Sequence, residues 1–227
     1  MVEKKLSIPI GEGEHVSGIL SLPDDYGRPV GRDGVVIAHG AGNDMHNPLL
    51  RHVAGGMAET GYVVLRFNFP YRDKGKKSPD SQHVLEETWR SVFQFLAEKS
   101  GHDVDRIIAA GKSLGGRVAS QMAARGDLPA ARLIFFGYPL HAPGKKDVLR
   151  DAHLYEIKMP MLFFAGTRDT LCDLTELKHV LCKLEASWDL EVIEGGNHSF
   201  DLPKSYETSE QDVYDRILNK SLEWLSY

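Results

Sequence analysis

Short apolar runs alternate along this chain with segments whose apolar positions recur every three or four residues. Runs at 35–39, 62–67, 106–110, 132–136, 161–165 and 190–193 are four to six residues long and mostly apolar. That is the signature of strands buried on both faces of a parallel sheet. Between them lie stripes at helical spacing. One is Leu49, Leu50, Val53, Ala54, Met57 and Ala58, opened by Asn47-Pro48 and ended by Gly61. A second, opened by Ser78-Pro79, is Val84, Leu85, Trp89, Val92, Phe93 and Leu96. An alanine-rich helix follows residues 111–116. Leu174, Leu177, Val180, Leu181 and Leu184 mark another, and residues 209–225 read as the last helix. At the start, 6–10 and 16–20 read as two strands around a hairpin turn at 11–14, with Pro9 indicating an edge position. Residues 23–34 read as a polar turn region, 68–80 as a charged loop, and 137–158 as irregular with one helical turn. The alternation predicts an α/β fold, a mainly parallel central sheet with helices on both faces, as one domain over residues 1–227. The excursion at 137–158 is too short for a large lid, so an open cleft is expected.

Composition narrows the class. The 227 residues are 42% hydrophobic and 26% charged, with net charge −5. An acidic balance argues against nucleic acid as a partner, which favours a basic surface. No apolar run reaches the ~18 residues that a membrane span needs, and the polar N-terminus carries no secretory signal pattern. Cys172 and Cys182 flank one predicted helix. Ten helical residues separate them by about 15 Å, too far for a disulfide. A reduced, cytoplasmic protein is the expectation. No Cys/His spacing suits a metal, and neither metal nor cofactor is expected.

The chemistry concentrates at strand ends, where open α/β sheets carry their sites. Gly111-Lys112-Ser113-Leu114-Gly115 has the form G-x-S-x-G between a strand and a helix, which resembles the nucleophile elbow of α/β-hydrolases. The rival phosphate-loop pattern needs glycine at position 106, where Arg106 stands, and a flexible cradle where 107–110 are apolar. A serine hydroxyl needs a base and an orienting acid. Asp169 and His198 follow in the order Ser, Asp, His, each beyond a predicted strand. Asp173 fits the capping of the helix after it better than Asp169 does, because Glu176 follows at the third helical position. That leaves Asp169 as the candidate acid and Ser113, Asp169 and His198 as the candidate catalytic set. The backbone amides of Leu114 and Ala41 are the candidate oxyanion hole. His39, just before Gly40-Ala41-Gly42, reads as a residue that holds this loop. Tyr71, Arg72 and His141 are weaker candidates for substrate contact. Cys172 reads as a small buried residue.

Several motifs together carry a family resemblance: His39-Gly40-Ala41-Gly42, Phe67-Asn68-Phe69-Pro70-Tyr71, Gly111 through Arg117, Tyr138-Pro139-Leu140-His141, Gly166-Thr167-Arg168-Asp169 and Asn197-His198-Ser199. Over essentially its whole length the chain resembles α/β-hydrolases. Within them it is most similar to the small lidless dienelactone-hydrolase-like branch, and there to the KANL/Tex-type hydrolase-like family. The resemblance implies an α/β-hydrolase fold, the same triad and an esterase-like activity on a small-molecule ester-type substrate. It implies no particular substrate or oligomeric state. Dienelactone hydrolases proper use cysteine as nucleophile, and this chain has Ser113. Two functions stay open at this point: a serine hydrolase acting on an ester, thioester or amide, and a hydrolase-fold binding or scaffold module.

Overall fold

The computed structural model describes residues 1–11, 13–24 and 32–227. In chain order the elements are β1 (Val2–Pro9), β2 (His15–Leu22), β3 (Arg32–Ala38), α1 (Pro48–Glu59), β4 (Val63–Phe67), α2 (Pro70–Asp73), α3 (Gln82–Gln94), β5 (Val104–Lys112), α4 (Leu114–Ala124), β6 (Arg132–Phe136), β7 (His141–Ala142), β8 (Lys145–Leu149), β9 (Met161–Gly166), α5 (Leu174–Leu181), β10 (Trp188–Ile193) and α6 (Glu210–Leu225). A π-helical turn, Phe95–Lys99, extends α3, and a 3-10 turn, Ala152–Glu156, follows β8.

Eight strands form one sheet in the order β1-β2-β4-β3-β5-β6-β9-β10. β1 pairs antiparallel with β2, and β2 antiparallel with β4. The remaining pairings are parallel. Side chains of a strand alternate between faces, so each apolar run divides into two sets. Val36, Ala38, Ala109, Phe135 and Phe163 face α3 and α4, meeting Trp89, Val92, Val118 and Met122. Val35, Ile37, Ile108, Phe136 and Phe164 face the other way, onto α1 and α6, meeting Leu50, Val53, Met57 and Ile217. Both faces are therefore covered. This is why the strands read as continuous apolar runs, and β5, carrying Ser113 beyond its end, lies inside the sheet between β3 and β6.

Several expectations change. The turn at 11–14 includes Glu12, which lies outside the described residues, as do 25–31 of the polar region 23–34. The charged loop at 68–80 contains α2, with Pro70 at its first position. Four residues are too few to show a period, and Asn68 supplies the local order by donating from Nδ2 to Asp73 (2.8 Å). α3 begins at Gln82, not at Ser78-Pro79. Asp80 is drawn off to accept the Tyr71 amide (2.8 Å), and Ser81 caps the helix by accepting from the Val84 amide (3.5 Å). The irregular segment 137–158 holds the β7–β8 hairpin as well as its helical turn. β8 is mostly exposed, so burial left no pattern to read. Between β6 and β9 there is no large lid. No helix among the described residues is long and apolar enough to cross a membrane.

Candidate active site

Three glycines shape the turn between β5 and α4. A β-carbon at Gly111 would collide with the Gly116 amide, and one at Gly115 would come within 2.7 Å of Ala38 Cβ and of the His39 carbonyl. The strand can therefore turn into the helix without side chains in the way, and the loop after β3 can close on the helix start. Ser113 takes the strain, with φ 49° and ψ −112°, a conformation rare outside glycine. Its amide donates to the Phe136 carbonyl (3.2 Å), tying the elbow to β6. Although Ser113 is the N-cap of α4, its side chain makes no capping bond.

The hydroxyl goes to histidine instead. Ser113 Oγ lies 2.8 Å from His198 Nε2, and His198 Nδ1 lies 2.8 Å from Asp169 Oδ2. An ionised carboxylate only accepts, so Nδ1 carries the proton and Nε2 is left to accept from the serine. The Asp169 side chain is 0% exposed, and its other oxygen accepts the Leu171 amide (2.7 Å). Asp173 is used elsewhere. It is the N-cap of α5, accepting from the amides of Thr175 (3.0 Å) and Glu176 (3.4 Å), and it pairs with Lys146. The loop carrying His198 is closed by Asn197, whose Oδ1 accepts the amides of Ser199 (2.7 Å) and Asp201 (3.0 Å).

The loop after β3 runs beside the serine: a β-carbon at Gly40 would lie 3.3 Å from Ser113 Cβ. Neither the Ala41 amide nor the Leu114 amide has a hydrogen-bond acceptor among the described residues. Leu114 opens α4, where the first amides are unpaired and the helix dipole favours negative charge. His39 holds this loop. Its Nε2 accepts the Phe69 amide (3.1 Å) and its Nδ1 donates to the Gly40 carbonyl (2.8 Å). Burial pushes its pKa down to about 4, so the ring stays neutral and structural.

The three weaker candidates lie differently. Tyr71 is fully buried, its hydroxyl donating to the Gly40 carbonyl (3.4 Å) from behind the loop. His141 is also fully buried. Its Nε2 accepts the Asp173 amide (3.2 Å), so its Nδ1 donates to the Ala142 carbonyl (3.1 Å). Both rings are committed to backbone, and neither has exposed surface. Arg72 keeps partial exposure, but its guanidinium donates to the Lys76 carbonyl within its own loop (3.1 Å) and pairs with Asp44 of the loop after β3 (3.5 Å). Cys172 is buried, and burial, with Asp169 nearby, pushes its thiol pKa up, which keeps it protonated. Both cysteines are free.

Two neighbours of the site escaped sequence reasoning. Gly137 lies under the His198 ring, and Lys112 donates from Nζ to the His198 carbonyl (2.9 Å). The signal for Lys112 was present: a lone lysine ending an apolar strand.

Residues 31–226 match the family model described as an alpha/beta hydrolase domain. Over 127 residues the chain is 32% identical to "Hydrolase LUC6" of a Fusarium species, a match covering 53% of this chain and 30% of that protein. The chain thus spans less than a third of that relative's length. Among solved structures, a dienelactone hydrolase from Anabaena variabilis is similar with TM-score 0.74 and 20% identity, covering 99% of this chain and 97% of that one. Est1E from Butyrivibrio proteoclasticus, with ferulic acid bound, is similar with TM-score 0.77 and 16% identity, covering 98% and 100%. At such identities the structures speak for the fold.

Proposed function

The chain belongs to the alpha/beta hydrolase domain family, and from that premise we propose that it is a serine hydrolase cleaving an ester, thioester or amide through an acyl-enzyme on Ser113. Within the family we assign it, on its own motifs, to the small lidless dienelactone-hydrolase-like branch and the KANL/Tex-type group. The observation that carries the reading is the unbroken line of hydrogen bonds from Ser113 through His198 to the buried Asp169. Nothing in the helix competes for the serine hydroxyl.

Each residue then has a role. His198 takes the Ser113 proton as the hydroxyl attacks the carbonyl carbon, and returns it to the leaving group as the tetrahedral intermediate collapses. Asp169 fixes the tautomer and stabilises the imidazolium. The Leu114 and Ala41 amides receive the oxyanion, an interaction worth about 10²–10³ in kcat per donor in the enzymes where one has been removed. Water, deprotonated by the same histidine, attacks the acyl carbon, and His198 passes that proton to Ser113 Oγ as the acyl–Oγ bond breaks, which frees Ser113 for a second turnover. The leaving group departs with the proton that came from the serine, and the acid product with the water's oxygen. The lack of a large lid between β6 and β9 suits small-molecule substrates of varied shape, and the two free thiols suit a reducing compartment such as the cytoplasm.

The test is a fluorophosphonate probe followed by a series of p-nitrophenyl esters of rising acyl length. Rapid labelling and turnover on at least one ester are expected. A folded protein that neither labels nor turns over any ester in the series would leave a binding or scaffold module as the better reading.

A further inference from the structure

Lys112 stands between Gly111 and Ser113 at the end of β5, after the apolar run 107–110. It is 4% exposed. No carboxylate forms an ion pair with it among the described residues, and its hydrogen bond is to the His198 carbonyl (2.9 Å). Its Nζ sits 5.6 Å from the centre of the Phe200 ring. Phe200 adopts φ +69°, in the left-handed region that a residue with a side chain avoids. Strain and a buried ammonium thus meet in the loop that carries His198.

A buried charge without a contacting counter-ion is unfavourable, and methionine would fill similar space without that penalty. The chain keeps the lysine where the base is anchored. Building on the triad reading above, we propose that Lys112 is a positioning residue for His198: its cation grips the His198 carbonyl and, through space, balances the buried Asp169 carboxylate, so that the imidazole spans Ser113 and Asp169 at once.

The charged and titratable groups facing it support this role. Asp169 comes from the loop after β9, and His198 and Asp201 from the loop after β10. The two carboxylates favour the lysine's charged form, while burial disfavours it more strongly and brings its pKa from 10.5 down to about 8. As pH rises through about 8, the grip loses its charge. The effect on folding has the opposite sign. Between about 8 and 10.5 the unfolded chain holds more protons on this group than the folded one, so this lysine adds stability as pH rises. A loss of activity above pH 8 through Lys112 therefore comes without its contributing any loss of stability.

The experiment measures fluorophosphonate labelling rate, ester turnover and Tm from pH 6 to 10 for the wild-type protein and Lys112→Met. The wild type should lose labelling and kcat with a midpoint near pH 8 while Tm does not fall in step. Lys112→Met should keep or raise its Tm at pH 7, because the buried charge is gone, and lose the alkaline fall. Its kcat should drop about 10- to 100-fold with KM little changed, as expected when a base is held slightly out of place. A wild-type rate flat to pH 9.5, or a Lys112→Met protein as fast as wild type at pH 7, overturns the proposal. Should Lys112→Met fail to fold, Lys112→Gln takes its place, with the same fall in kcat and the same loss of the alkaline limb expected. A wild type that never labels refutes the hydrolase reading itself, and this inference goes with it.

Discussion

Gly137 lies directly against His198: a β-carbon there would come within 3.0 Å of the His198 carbonyl oxygen and 3.5 Å of its ring atoms Cε1 and Nδ1. Gly137 also adopts φ +72° and donates its amide to the Phe164 carbonyl (3.0 Å). The backbone leaving β6 is therefore the surface on which the imidazole rests.

Gly137→Ala should lower stability by about 1–2 kcal/mol, the penalty of a left-handed non-glycine residue. It should also slow fluorophosphonate labelling by about 10-fold, because His198 must shift to make room. Denaturant unfolding and labelling kinetics check both. Wild-type values for stability and rate together would mean that the ring does not depend on this contact.

Ser113 should be the sole site of fluorophosphonate labelling. It combines the strained elbow backbone with the bond to His198 Nε2. Peptide mapping by mass spectrometry reads the adduct directly. An adduct on Ser199 or on any serine other than Ser113 would end its candidacy as nucleophile.

Asp169 and Asp173 are four residues apart and should behave oppositely. Asp169→Asn should keep the fold and lose several powers of ten in kcat; the equivalent change in serine proteases costs about 10⁴, because the amide favours the wrong imidazole tautomer. Asp173→Asn should be mild, since asparagine caps helices about as well as aspartate, and Asp173→Ala should lose roughly 1 kcal/mol of stability. Steady-state kinetics on the best p-nitrophenyl ester separates them. Full loss in Asp173→Asn beside an active Asp169→Asn would reverse the two assignments.

Stability should fall as the solution is acidified from pH 7 toward 4, in part through His39. Its pKa is about 4 in the fold against 6.5 unfolded, so over that interval the unfolded chain binds the extra proton. The full shift corresponds to a loss on the order of 3 kcal/mol from this one group. His39→Gln, which can accept from Phe69 and donate to Gly40, should show a shallower decline between pH 6.5 and 4.5 than wild type. Parallel declines for the two proteins would remove His39 as a source of acid sensitivity.

Much of this structure was legible one segment at a time. Burial on both faces writes itself into a strand as a continuous apolar run, and burial on one side of a helix as a stripe, so the central strands and the long helices could be read locally. The elbow was legible for a related reason. The close approach of Gly111 and Gly116 requires residues without side chains, and that requirement stands in the sequence as spacing. Segments whose order comes from one distant hydrogen bond left no such mark. The start of α3 depends on Asp80 reaching back to the Tyr71 amide, nine residues away. β7–β8 is a mostly exposed hairpin with no burial pattern to show.

By itself, the sequence determined which chemistry was available: a serine at a strand-to-helix turn, an aspartate freed from capping by Asp173, and a histidine after the last strand. Only the tertiary structure decided what these groups meet. Ser113 and His198 are 85 residues apart in the chain, and His198 and Asp169 are 29 apart. Their contacts follow from the parallel alignment of β5, β9 and β10, which brings the ends of these strands to one edge of the sheet. The same packing turned Tyr71 and His141, polar loop residues in sequence, into buried supports, and enclosed Lys112 beside the His198 carbonyl. A residue's type sets what it can donate, accept or ionise. The neighbours that exclude water around it decide which of those it does, and these neighbours come from distant parts of the chain.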